Sequence, residues 1–196
     1  YAFGLWTALE EIVFPQGLET IQAFAFVDCI NLKEIEIPGS VTYLSGFADC
    51  INLEKVQLHN TGEIGIEAFS NCDRLEEIVI PEGVTKIGHR AFADCNMLSK
   101  ITIPSTVTYI TGFENCLGLT TVQINSADGV IDEDAFMGCI SLAEVMISEG
   151  ITQIGENAFM GCHGLRRINI PGSVAVIGDR AFYECLGLKE VTISEG

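Results

Sequence analysis

Basic residues are scarce. Ten Lys and Arg stand against 27 Asp and Glu, a formal net charge of −17. Such a surface repels nucleic-acid phosphates and anionic lipid headgroups, so neither nucleic acid nor membrane is an expected partner. Although 48% of the residues are hydrophobic, no run approaches the ~18 uninterrupted apolar residues that would span a bilayer. The apolar residues are scattered at short intervals, as in a water-soluble core, so no membrane insertion is expected.

Catalytic signatures are missing too. There is no HExxH, no GxSxG, no CxxC and no phosphate-cradling glycine loop. His59, His89 and His163 fall at unrelated places along the chain. Enzyme activity is therefore not expected, nor is a cofactor. The opening residues YAFGLWTALEE lack the basic start and apolar centre of a secretory signal.

What is present is a period. The eight cysteines lie at positions 29, 50, 72, 95, 116, 139, 162 and 185, in steps of 21 to 23 residues. A fixed period of this size marks a solenoid. The unit reads AFxxCxxLxxIxIPxxVxxIGxx, and its clearest copies run from Ala158 to Arg180 and from Ala68 to Arg90. The first residues fit, with Ala2 and Phe3 at the AF position and Trp6 in the cysteine slot. Two copies, LSGFADC and ITGFENC, are two residues short, with Gly46 and Gly112 in place of Ala. They stand 66 residues apart, which suggests a duplicated three-repeat unit. The chain opens and closes within a repeat, so a fragment of a longer chain is expected. Residues 1–196 read as a single domain of about 8.5 repeats.

Each unit translates into structure. LxxIxI alternates inward and outward side chains, as in Leu75, Ile78 and Ile80, and reads as a short strand. Pro38, Pro81, Pro104 and Pro171 then stop the strand, because proline cannot donate to a ladder. VxxIG reads as a turn, with glycine at 88, 155 and 178. AFxxC fits one short helical turn with Phe and Cys inward. One unit is too small to bury these residues alone, and stacked neighbours bury them together.

In LxxIxI, AFxxC and VTxIG the chain resembles the BspA-like leucine-rich repeat family, over essentially its whole length. The resemblance implies an α/β solenoid, a right-handed superhelix with a parallel β-sheet on the concave face. Turns or short helical segments would form the convex face. It also implies a bacterial protein, secreted or at the cell surface, of adhesin type, that binds host matrix proteins or other cells; a structural spacer or an accessory array attached to another functional domain is the alternative.

An even cysteine count in an exported protein invites disulfides. Parallel stacked side chains lie farther apart than the ~3.8 Å between Cβ atoms that a disulfide wants, and no pairing is singled out. Buried free thiols are the preferred reading, ahead of disulfides or metal. The stretch from Asn125 to Asp134 offers acidic oxygens but lacks the alternating spacing and terminal Glu of an EF-hand loop. A solvated loop explains it better than calcium.

The outward residues of the strands remain. One row is Glu11, Glu34, Lys55, Glu77, Lys100, Thr121, Glu144, Arg167 and Glu190, whose signs mostly alternate from Glu34 to Lys100. It is expected either to keep the sheet soluble and in register or to contact a ligand. The other row is Val13, Glu36, Gln57, Val79, Thr102, Gln123, Met146, Asn169 and Thr192. Nearly uncharged, it is the expected ligand-binding stripe. Nine such strands make a face of about 650 Å², against the ~800 Å² that one partner brings to a standard interface. Flanking turns or further repeats would have to add area. Exposed repeat ends would also favour self-association.

Overall fold

The computed structural model describes residues 2–195. Within them the chain is a parallel β-solenoid with two strand-bearing sides. On one side lie the LxxIxI strands: Glu34–Ile37, Lys55–Leu58, Glu77–Ile78, Lys100–Ile103, Thr121–Ile124, Glu144–Ile147, Arg167–Ile170 and Glu190–Ile193. Their period-two pattern works as read: Ile35 and Ile37 are buried while Glu34 and Glu36 are exposed.

The VxxI segments correct the expectation of turns. They form a second sheet of eight parallel strands, unbroken from Thr20–Ile21 to Val176–Ile177. In VTKI, both Thr85 and Lys86 lie between inward-facing Val84 and Ile87. Two consecutive outward residues break the alternation that marks a strand. The ladder itself shifts register at Gly62/Glu63 and at Gly129/Val130.

The helical segments are a second correction. Among the described residues there is no helix, and AFxxC is a run of tight turns. The residue before each Cys has a left-handed backbone: Asp28, Asp49, Asn71, Asp94, Asn115 and Glu184 at φ 56 to 60, and Gly138 and Gly161 at φ 74. A second left-handed residue precedes the Ala of each full-length unit, from Phe24 to Arg180, at φ 52 to 60. A right-handed helix cannot run through either point.

Between the two sheets runs one core. Its spine is a column of nine phenylalanines, one per turn, from Phe3 through Phe92 and Phe113 to Phe182. Neighbouring rings stack with centroids 5.1 to 5.6 Å apart and planes within 13°. Such offset pairs add stabilisation beyond area burial. The shortened turns close at Gly46 and Gly112, with φ of 116 and 94. A Cβ on Gly112 would lie 2.4 Å from the Gly88 carbonyl oxygen. Beside each glycine a buried hydroxyl takes up a carbonyl of the next turn: Ser45 Oγ donates to Ile66 O at 2.7 Å and Thr111 Oγ1 to Glu133 O at 3.1 Å.

The ends differ from the middle. Trp6, assigned to the interior cysteine slot, is 54% exposed and meets Phe3 edge-on. Phe3, Trp6, Leu9, Ile12, Phe14 and Leu18 line an apolar mouth of about 570 Å³. At the other end Val191 and Ile193 are exposed.

Candidate binding face

All nine residues from Val13 to Thr192 in the row chosen from the sequence are exposed. The ladder places Glu36 beside Gln57, Thr102 beside Gln123, Gln123 beside Met146 and Asn169 beside Thr192. The charged row falls as read, with Lys55 between Glu34 and Glu77. At this exposure such pairs contribute little to stability.

The LxxIxI face is not one sheet of nine strands, and this corrects the sequence reading. It divides into sheets of three, three and two strands. Val13 and Val79 lie outside any strand. The division follows proline. Where the residue after the strand has an N–H, it donates to the last strand residue of the preceding turn. His59 does so to Ile37, Asn125 to Ile103, Ser148 to Ile124 and Ser194 to Ile170, at 2.9 to 3.1 Å. Each of those turns pairs over four residues with the turn before it. Pro38, Pro81, Pro104 and Pro171 have no N–H to give. At Pro81 pairing with the preceding turn stops after Glu77 and Ile78, and at Pro104 and Pro171 it is absent. The turn before Pro38 has no strand here at all.

Shallow hollows sit at these seams. One of about 330 Å³ lies before Pro38, and one of about 390 Å³ before Pro104. Another, of about 260 Å³, lies between Gln57 and Val79. The prolines were legible as strand stops; their effect on the neighbouring turn was not drawn from the sequence.

The titratable groups elsewhere occupy structural positions. Every cysteine is a free thiol, seven buried and Cys185 half-buried. Each Sγ points at the carbonyl of the preceding turn's Phe, from Cys29 on Phe3 to Cys185 on Phe159, at 3.1 to 3.5 Å. Burial pushes the Cys50 thiol up to about 12 and the Cys95 thiol well above its usual range. Protonated and enclosed, these thiols are poor nucleophiles.

His59 Nε2 lies 3.3 Å from Glu36 Oε1 on the exposed face, and His163 is exposed on a turn. His89 Nδ1 lies 3.3 Å from Glu114 Oε1, without hydrogen-bond geometry. Glu114 is 1% exposed, and burial raises its carboxyl above the ordinary value. Nothing in the sequence pattern singled it out. In the acidic stretch, Asp132 accepts the Tyr109 hydroxyl and Asp134 accepts Asn157 Nδ2. That hydrogen bond to Asp132, with burial behind it, raises the Tyr109 phenol to about 12. Among the described residues no three His, Cys, Asp or Glu side chains cluster as a metal site.

Comparison with known proteins follows the geometry. A leucine-rich repeat protein from Bacteroides ovatus is 29% identical over 94% of this chain, with a TM-score of 0.79. A T. pallidum leucine-rich repeat protein is 27% identical over 76% of the chain and 72% of its own length, with a TM-score of 0.69. The pneumococcal vaccine antigen PcpA shares the fold at 22% identity over 90% of the chain, with a TM-score of 0.51. The chain spans 55% of the Bacteroides ovatus protein and 54% of the pneumococcal one. No curated protein sequence matches the chain. The family model for the BspA type leucine rich repeat region matches residues 1–112 and 111–196, in six copies. With two strand-bearing sides, a stacked Phe core and that match over its full length, the chain belongs to the BspA-type leucine-rich repeat family.

Proposed function

We propose that this protein is a non-catalytic recognition module of a bacterial cell surface, adhesin-like, that binds a host matrix protein or another cell through its LxxIxI face. The carrying observation is the outward row Val13, Glu36, Gln57, Val79, Thr102, Gln123, Met146, Asn169 and Thr192. All nine are exposed, and Glu36 alone is charged. Exposed apolar and amide groups on a stiff scaffold lose little entropy when a partner covers them. Neighbours in the same fold are bacterial proteins, one of them a vaccine antigen, which supports a place outside the cell. No helix among the described residues is long and apolar enough to cross a membrane.

The test charges the row. Binding to immobilised matrix proteins and to whole cells is measured for the full-length protein and for a variant carrying Gln57→Lys, Gln123→Lys and Met146→Lys. The natural protein should bind and the variant should lose most of that binding. Uniformly negative results for the natural protein would sink the reading. A spacer role is the second reading, supported by the unbroken Phe column; it predicts that the charged variant functions normally.

A further inference from the structure

We infer that the point of docking on this face is the strand end around Val79, and that it receives a lysine side chain of the partner protein. The inference rests on the LxxIxI face being the binding surface. Val79 belongs to a turn loosened from both neighbours. Its own Pro81 has no N–H for Leu58 O, and Pro104 of the next turn has none for Ile80 O. Among the described residues, neither carbonyl receives the backbone N–H that Ile37, Ile103, Ile124 and Ile170 each receive. Hollows of about 260 and 390 Å³ open on the two sides of Val79, which is 77% exposed between them.

The chemistry of the hollow selects its occupant. A carbonyl oxygen only accepts, so the complement must donate. Glu77 lines both hollows and, among the described residues, has no ion pair within 4 Å. Glu82, also at the larger hollow, is held by the Ser105 hydroxyl at 3.1 Å; Lys55, the register partner of Glu77, lines the smaller hollow and Lys100 the larger, neither within ion-pair distance of Glu77. An ammonium group brings three donors and no acceptor, and its methylene stem packs on an apolar surface such as Val79. The net charge of −17 draws a cationic partner and repels an anionic one. Ile80 O and the Glu77 carboxylate would share the ammonium, with Val79 against the stem.

The probe is an acetyl-capped tetralysine amide, with its lysine-acetylated form as the uncharged control. It is titrated into ¹⁵N-labelled protein. Amide shifts should concentrate at Val79, Ile80, Lys100 and Thr102, and the control should give none. Val79→Lys, which supplies its own ammonium, should weaken binding tenfold or more. Pro104→Ala, which returns an N–H to Ile80 O, should weaken it about tenfold, equivalent to ~1.4 kcal/mol. The inference is overturned if shifts spread evenly over the acidic residues of the chain. It is equally overturned if both variants bind as the natural protein does. A natural partner lost on Met146→Lys but held by Val79→Lys would remove the lysine slot and leave the face a binding surface.

Discussion

The two sheets are built from the same turns and behave differently. The VxxI side pairs without interruption across eight strands, while the LxxIxI side is cut into three pieces. No proline falls within the VxxI strands. All five prolines of the chain sit directly after an LxxIxI position, at 15, 38, 81, 104 and 171. A missing N–H shortens the pairing to two residues at Pro81 and accompanies its loss at Pro104 and Pro171. The core does not share the division: the Phe column crosses the seams at Pro104 and Pro171 with centroids 5.5 and 5.3 Å apart, within the range of the whole column. Continuity in this solenoid comes from the core and the VxxI sheet, and the LxxIxI face is free to be discontinuous.

The largest test removes what both sheets share. Phe113→Ala leaves a hole between Phe92 and Phe136 and should cost about 3–5 kcal/mol. Urea unfolding measures the loss, and hydrogen exchange should quicken on both sides alike. Next comes proline placed on either side of one turn. Val130→Pro deletes the bond from Val130 N–H to Thr108 O inside the unbroken sheet and should cost about 2–3 kcal/mol. Asn125→Pro deletes the bond to Ile103 O, makes a new seam like the existing ones, and should cost about 1 kcal/mol. Equal losses for the two prolines would erase the distinction between the sheets.

A smaller effect concerns Glu114, a carboxyl buried where the other short turn carries Ala48. Its raised pKa means the folded state prefers the protonated form. That contribution is full below the unfolded value and lost as pH rises through the folded one. At neutral pH Glu114→Ala should therefore raise Tm, and the rise should vanish in acid. The smallest effect belongs to Tyr109 on the VxxI face. With its phenol at about 12 in the folded state, its contribution is present below pH ~10 and fades toward ~12. Tyr109→Phe should flatten that part of the pH–Tm curve and leave the neutral range nearly unchanged.

Both outward rows of LxxIxI could be read from the sequence, because strict alternation ties each residue to a face. The VxxI strands could not, since pairs such as Thr85 and Lys86 violate alternation. The helical expectation for AFxxC failed at a readable signal. Asp or Asn precedes five of the cysteines and Gly two more, and these residues tolerate the left-handed region best. Trp6 occupies the repeated cysteine slot and is 54% exposed, where the cysteines from Cys29 to Cys162 are buried. Glu114 stood outside any pattern, as one carboxyl where an alanine serves equally well. The preference for the uncharged row as the contact stripe rests on side-chain chemistry alone, and the binding assays decide it.

The joint at Gly46 and Gly112 bears on how such an array changes length. A glycine that lies close to the preceding turn, with a hydroxyl that satisfies the carbonyl of the next, absorbs the loss of two residues while Phe47 and Phe113 keep their places in the column. The circumference of a single coil is thus adjustable at one point on its rim, without re-indexing the coils on either side.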